Sequence, residues 1–468
     1  MIFCVIFSIM NIIAEHSNLF GNIQVPGSKS HTIRALLLAS LAEGTSHIKN
    51  PLPSADCLST AHALPLLGAK VCGIENDKEW IVDGAGSSIH LPSDVVNVGD
   101  SGSLLYFLSP IASTFAGWSV FTGDESIRTR PVYHVVDALR QLGATAFTAL
   151  PESKTCPLLI QGPVQNGTVK TAGEVSSQYI SGLMMAALRL KGTMKIELSN
   201  PKETPYLTMT QKWLEKIGAK VTISDDFKHI EVSGKEKIDS FDCTIPSDWE
   251  GVAFPLIASL LTDSEIVIEN VDSSGTQGDA ALLDVLLSFG SDAEWNRASG
   301  TLTVRGGKKS KNKTGYLSTK NYPNGKAHIN LSGYPDAVCA LAAISCFVDG
   351  DIYIEDIAVC RRKETDRIAL LTKELSKVGA KIEEGADFLH IQGVPPILED
   401  GSKNPNFKMH GAKLESYGDH RLAMAFACLG LALPSGEKLE ISNAECCSVS
   451  FPNFFDCMTS LGAKFSEK

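Results

Sequence analysis

LPLLGAKV (64–71), LRQLGATA (139–146), LEKIGAKV (214–221), LLSFGSDA (286–293), LSKVGAKI (375–382) and MTSLGAKF (458–465) are six versions of one short pattern. In each, an amphipathic helix-like stretch closes on an apolar residue, then Gly, then Ala or Ser, and a strand-like run follows. The glycines Gly68, Gly143, Gly218, Gly290, Gly379 and Gly462 are separated by 75, 75, 72, 89 and 83 residues, a spacing too regular for chance. Glycine suits that point because a helix commonly closes on a left-handed residue that only Gly adopts without penalty. After Gly218, the run AKVTISDDFKHIEVSG (219–234) alternates apolar and polar residues on both sides of an Asp-rich turn, which predicts a β-hairpin. Residues 69–84, 293–306 and 380–393 repeat it. The expectation is a repeated α/β protein, three units per half, with its midpoint near 240–246.

Working outward, 468 residues are too many for one ordinary core and fit two large domains. The boundaries expected are 1–26 as a tail and first strand joining the second domain, 27–245 as the first domain and 246–468 as the second. Hydrophobic content of 44% and charge of 20% are globular values that exclude a disordered or collagenous chain. A net charge of −11 argues against sequence-independent nucleic-acid binding, so any anionic ligand needs a local cationic cluster. The twelve Cys never form C-x-x-C and read as buried thiols of a reducing cytoplasm. The opening MIFCVIFSIMNII is apolar but lacks a leading Lys or Arg and a small-x-small cleavage site, and it is too short to span a bilayer. It reads as a tail from an upstream start codon, with Met10 as an alternative start, and no membrane segment is expected.

Several stretches carry chemistry-bearing residues at turns into helices. In VPGSKSHTIRALLLASLA (25–42), Gly27 and Ser28 turn the chain into a long helix starting near Ser30, and Lys29, Ser30 and Arg34 sit where backbone N–H groups favour an anion. GDSGS (99–103) lacks the partner motifs of a serine protease and reads as a glycine turn at a helix start. In GDESIRTRP (123–131), Arg128 and Arg130 fall on one face if the segment is extended, so at least one points at an anion. SSQYISGLMMAAL (176–188) begins like a helix N-cap. YPDAVCALAA (334–343), RRKETDRIALL (361–371) and DHRLAMAFA (419–427) complete the set; a helix through RRKETDR would bring Lys363, Glu364 and Arg367 to one site. Taken singly, each of these has an ordinary reading as a cap or a solvated charged face.

Taken together, PGSKS-x-x-x-R, GD-x-S-x-x-x-RP, SSQ, PDA, KETDR and DHR-x-AMAF resemble, in order and over the chain from about residue 20, the motifs of the 5-enolpyruvylshikimate-3-phosphate synthase family of enolpyruvyl transferases. The resemblance implies an inside-out α/β barrel in each of two similar domains, each domain built of three βαβαββ-type units. It also implies transfer of the carboxyvinyl group of phosphoenolpyruvate to the 5-hydroxyl of shikimate 3-phosphate, with no metal or organic cofactor, on the way to chorismate and aromatic amino acids. Lys29, Ser30, Arg34, Ser176, Ser177, Gln178, Asp336 and Lys363 match the family's shikimate 3-phosphate ligands. Lys29, Gly102, Arg130, Gln178, Arg367 and Arg421 match its phosphoenolpyruvate ligands. Asp336 and Glu364, assisted by Lys29, match its acid–base groups, with His420 as a positioning group. Small-molecule substrates only, a monomer, a cytoplasmic location and closure of the two domains on shikimate 3-phosphate are the accompanying expectations.

The chain departs from the family at four points. Asp100 stands for the usual Asn, Tyr106 for an Arg, Glu203 for the serine of S-x-P-Y, and Val449 for a lysine that some members have. Two alternatives stay open: the sibling enzyme that acts on UDP-N-acetylglucosamine, which shares the six-unit fold but lacks KETDR and DHR-x-AMAF, and a catalytically silent anion-binding paralogue, suggested by Val449, Glu203 and Tyr106.

Overall fold

The computed structural model describes residues 10–75, 78–150 and 152–468. Most of the apolar opening stretch read above as a tail lies outside the described residues. All six repeat glycines have positive φ, from +79° at Gly218 to +108° at Gly462, as helix closure requires. The hairpins expected after them are present, for example Val221–Ile223 paired with His229–Ser233 and Lys381–Glu384 paired with Phe388–Gly393. The described strands form six four-stranded sheets. Each sheet has one parallel pairing and two antiparallel ones. In four sheets a helix lies between the two parallel strands, as Ser177–Ala187 lies between Thr168–Thr171 and Thr193–Leu198; in the other two the parallel partner, Cys243–Thr244 or Phe20–Gln24, comes from far along the chain.

The chain divides into two compact units, Pro26–Pro246 and Ser247–Lys468, with the residues up to Val25 belonging to the latter. In the first unit the helices Lys29–Leu41, Gly102–Ala112 and Ser177–Ala187 are buried almost throughout. With almost no solvent-facing side they are not amphipathic, and the polar residues they bury, such as His31, Arg34 and Ser181, are hydrogen-bonded. The short strand Cys243–Thr244 closes this unit by pairing in parallel with the end of Glu43–Lys49. The buried helices of the second unit are Trp249–Leu260, Val338–Ser345 and His420–Ala432. Here the N-terminus supplies two strands: Ile12–Glu15 lies between Lys438–Ser442 and Lys464–Glu467, and Phe20–Gln24 pairs with Glu265–Glu269. Each crossing of the chain is tied within its own unit. Ser28 N–H donates to the Pro246 carbonyl at 2.7 Å in the first, and the Ser247 hydroxyl donates to the Val25 carbonyl at 2.8 Å in the second.

All eleven described cysteines are free thiols and eight of them are buried, so they act as small apolar core residues. Two local expectations are corrected. RRKETDR is not one helix: a short 3-10 turn covers Ala358–Arg362, and the following α-helix starts at Arg367, because the Asp366 carboxylate caps it by accepting from Ala369 N–H at 3.1 Å. The arginines of GDESIRTRP do not share an extended face, since Ile127–Thr129 is a 3-10 turn; exposed Arg128 donates to the Gly123 carbonyl at 2.8 Å and holds its own loop.

Candidate active site

The candidate residues fall into two sets, one in each unit. In the first unit they collect at the N-terminal ends of the buried helices. Lys29 is the first residue of its helix, and its Nζ lies 3.0 Å from Asp56 Oδ2. Arg34, one turn in, is 1% exposed. Its Nε donates to Thr210 Oγ1 at 2.9 Å and its Nη1 to the Ser30 carbonyl at 2.9 Å. Nη2 reaches both Ser181 Oγ and the Tyr206 carbonyl at 3.3 Å. The guanidinium thus laces the first buried helix to the helix Thr204–Lys216, and burial pulls its pKa down to about 9. At the second helix, Ser101 is the N-cap, accepting from Leu104 N–H at 3.1 Å. A Cβ placed on Gly102 would lie 2.5 Å from Arg130 Nη1, so the guanidinium rests against the bare backbone there. At the third, Ser176 caps the helix by accepting from Gln178 N–H at 3.1 Å, and Gln178 Nε2 donates to Ser103 Oγ at 2.8 Å, joining the second and third helix starts.

Three of the sequence departures also lie in this unit. Tyr106 is buried and its hydroxyl donates to the Pro131 carbonyl at 2.8 Å, bracing the backbone next to Arg130. Asp100 has its carboxyl pushed up to about 6, first by burial and then by the nearby Asp56 charge, against the pull of Lys29. Glu203 is 4% exposed, and one of its oxygens accepts both the backbone N–H and the hydroxyl of Ser177, each at 3.0 Å.

In the second unit, Asp336 sits in the 3-10 turn Pro335–Ala337 that leads into Val338–Ser345. Its Oδ2 is 3.2 Å from Lys363 Nζ, and its Oδ1 is 2.5 Å from Arg367 Nη1 and 3.3 Å from Arg421 Nε. Burial alone would raise the Asp336 pKa, but the Lys363 and Arg367 charges outweigh it and hold the carboxyl at about 2. Arg367 is wholly buried and divided among three carboxylates: Asp336, Glu364 Oε2 at 2.6 Å and Asp419 Oδ2 at 2.8 Å. Burial opposes its charge, yet Asp419, Glu364 and Asp336 together keep the pKa well above the usual arginine range. Asp419 also caps the helix beginning at His420 by accepting from Arg421 N–H at 2.9 Å, and takes a bond from Thr365 Oγ1 at 3.0 Å. Arg421 in turn pairs with Glu250. His420 is buried at the first turn of that helix, and Val449 is half-buried at the end of the turn Ala444–Val449.

The structure therefore joins Asp336, Lys363, Glu364, Arg367 and Arg421, drawn from three separate motifs, into one ionic cluster. It also adds residues that motif reading passed over. Asp419 stands inside the DHR motif and carries the N-cap signal of an acid before an apolar helix, which was the available clue. Asp56, Glu250 and Thr210 stand in no quoted motif, and Ser103 and Ser181 lie inside stretches quoted above for other residues. Among the described residues, no group of three or more His, Cys, Asp and Glu is arranged to hold a metal ion.

Against known proteins, the family model for EPSP synthase (3-phosphoshikimate 1-carboxyvinyltransferase) matches residues 13–458. The 3-phosphoshikimate 1-carboxyvinyltransferase of Methanococcus maripaludis strain C6 is 35% identical over 459 residues, covering 97% of this chain and 99% of that one. That of Methanocaldococcus jannaschii is 36% identical over 460 residues, covering 98% and 99%. Among solved structures, EPSP synthase from Acinetobacter baumannii matches with a TM-score of 0.78 at 24% identity, over 98% of this chain and 100% of that one. The enolpyruvyl transferase NikO from Streptomyces tendae matches with a TM-score of 0.75 at 16% identity, over 98% and 99%.

Proposed function

The chain belongs to the EPSP synthase (3-phosphoshikimate 1-carboxyvinyltransferase) family and carries that activity in the shikimate pathway, with phosphoenolpyruvate and shikimate 3-phosphate as substrates, and from this premise we propose which residues perform it. Lys29, Ser30, Arg34, Ser176, Ser177, Gln178, Asp336 and Lys363 bind shikimate 3-phosphate. Gly102, Arg130, Arg367 and Arg421, with Lys29 and Gln178, receive phosphoenolpyruvate.

The reaction adds the 5-hydroxyl oxygen to C2 of phosphoenolpyruvate while the methylene carbon gains a proton. It then expels phosphate as that carbon gives a proton back. Asp336 takes the hydroxyl proton, Glu364 delivers and recovers the methylene proton, and Lys29 assists. The observation that carries this assignment is the shared guanidinium. Asp336 and Glu364 are both bonded to Arg367, which holds two carboxylates in fixed positions and keeps Asp336 ionised, ready to accept a proton. Anionic substrates drawn to Lys363 and Arg367 would loosen their hold on Asp336 and raise its basicity at the moment it is needed.

Phosphate release from phosphoenolpyruvate tests the reading, measured with shikimate 3-phosphate, with UDP-N-acetylglucosamine, or with neither. Release is expected in the first case alone. Asp336→Asn is expected to lower kcat by about 10²–10⁴, the worth of a positioned acid or base; an unchanged kcat with a raised KM would reduce Asp336 to a ligand. The reading extends to a cytoplasmic monomer: no step above calls on a second copy, and the free thiols suit a reducing compartment. No helix among the described residues is long and apolar enough to cross a membrane. Sedimentation velocity checks the oligomeric part.

A further inference from the structure

We propose that Glu203 is a built-in competitor for shikimate 3-phosphate: its carboxylate occupies the Ser177 donors, and the substrate's phosphate must displace it. This rests on the reading of Ser177 as a phosphate ligand. The donors at issue are the Ser177 hydroxyl and its backbone N–H, at the start of the 11-residue buried helix Ser177–Ala187. A first-turn N–H and an adjacent hydroxyl suit an anion, and an internal carboxylate meets that preference as a phosphate would. Glu203 reaches them from the N-cap position of Thr204–Lys216, where its backbone has φ +51°. The left-handed backbone disfavours a residue with a side chain, so the conformation persists because surrounding contacts, the two Ser177 bonds among them, hold it.

Electrostatics gives the proposal its sign. With the carboxylate present, an arriving phosphate meets a like charge in a site shielded from water and finds the hydroxyl donor already used. A group that merely positioned Ser177 would have the opposite effect on removal, weakening binding. Tyr206, three residues on, gives its carbonyl to Arg34, so withdrawal of Glu203 takes place in a segment whose far end is pinned.

The test is calorimetric titration of shikimate 3-phosphate, without phosphoenolpyruvate, into the wild-type protein, Glu203→Gln and Glu203→Ser. Gln keeps a long acceptor for Ser177 without the charge; Ser removes the charge and shortens the side chain, and serves as the second charge-free variant should Gln distort the turn. Both are expected to tighten binding about tenfold or more. In a Ser177→Ala background the gain should shrink severalfold, because part of the contested donor set is gone. Unchanged or weaker binding in the charge-free variants, with wild-type binding intact, overturns the role of Glu203 alone. An undiminished gain in the Ser177→Ala background also overturns it, as a charge effect unconnected with Ser177. Failure of the wild type to bind shikimate 3-phosphate at all overturns the substrate reading beneath it, and this proposal with it.

Discussion

Gly102 has no side chain to spare, because Arg130 lies where one would go. With Nη1 2.5 Å from a would-be Cβ, Gly102→Ala forces the guanidinium aside, while Tyr106, bonded to the Pro131 carbonyl, keeps the backbone beside it in place. We expect the variant to fold normally and to raise KM for phosphoenolpyruvate more than it lowers kcat, read from steady-state kinetics with shikimate 3-phosphate saturating. Asp100 makes a second residue-scale prediction. Its folded pKa of about 6 lies above the unfolded value, so the folded state binds the extra proton between about 4 and 6. Stability from this group is therefore greatest below that window and is lost as pH rises through it. Asp100→Asn removes the dependence and should stabilise the protein at pH 7 by on the order of 1 kcal/mol, discounted for partial exposure. Parallel thermal melts at pH 5 and pH 7 check it: the variant's advantage must be larger at pH 7.

The recurring element is a helix closed by a left-handed glycine, and the six copies allow its backbone cost to be isolated. At Gly290, φ is +92° and nothing lies within 4 Å of where a methyl group would stand, so Gly290→Ala adds strain without a clash. The expected loss is about 1 kcal/mol, from urea denaturation, with catalysis unchanged. Gly379, by contrast, has the Lys408 carbonyl 3.0 Å from the same position and should lose more on the same substitution. A result in which Gly290→Ala costs nothing would mean that the repeated shape of the turn does not depend on its glycine. Elements were also where local reading reached its limit. Helix ends chosen by a capping side chain, as Asp366 chooses Arg367 as the first helical residue, depend on one hydrogen bond that charge spacing along the chain does not reveal.

At the scale of the molecule, the buried apolar residues among those described form two cores, one per unit, including Trp80 in the first and Trp249 in the second. Two cores predict unfolding that is not two-state: the calorimetric enthalpy should exceed the van't Hoff enthalpy. Trp80→Ala, a large buried deletion of about 3–5 kcal/mol, should lower the transition of the first unit while leaving the second nearer its original temperature. A single transition shifted as a whole would contradict this. The repeat, the hairpins and the motif set were legible in the sequence because each is written in consecutive residues: a helix period, a strand alternation, a glycine where φ must be positive. The partners were not. Arg34 meets Thr210 across 176 positions, Arg421 meets Glu250 across 171, and Ser177 meets Glu203 across 26. The residue types at each place follow from local chemistry, but which buried charge finds which partner is decided only when the helices pack, because a buried ion takes whatever donor, acceptor or counter-charge the packing brings within bonding distance.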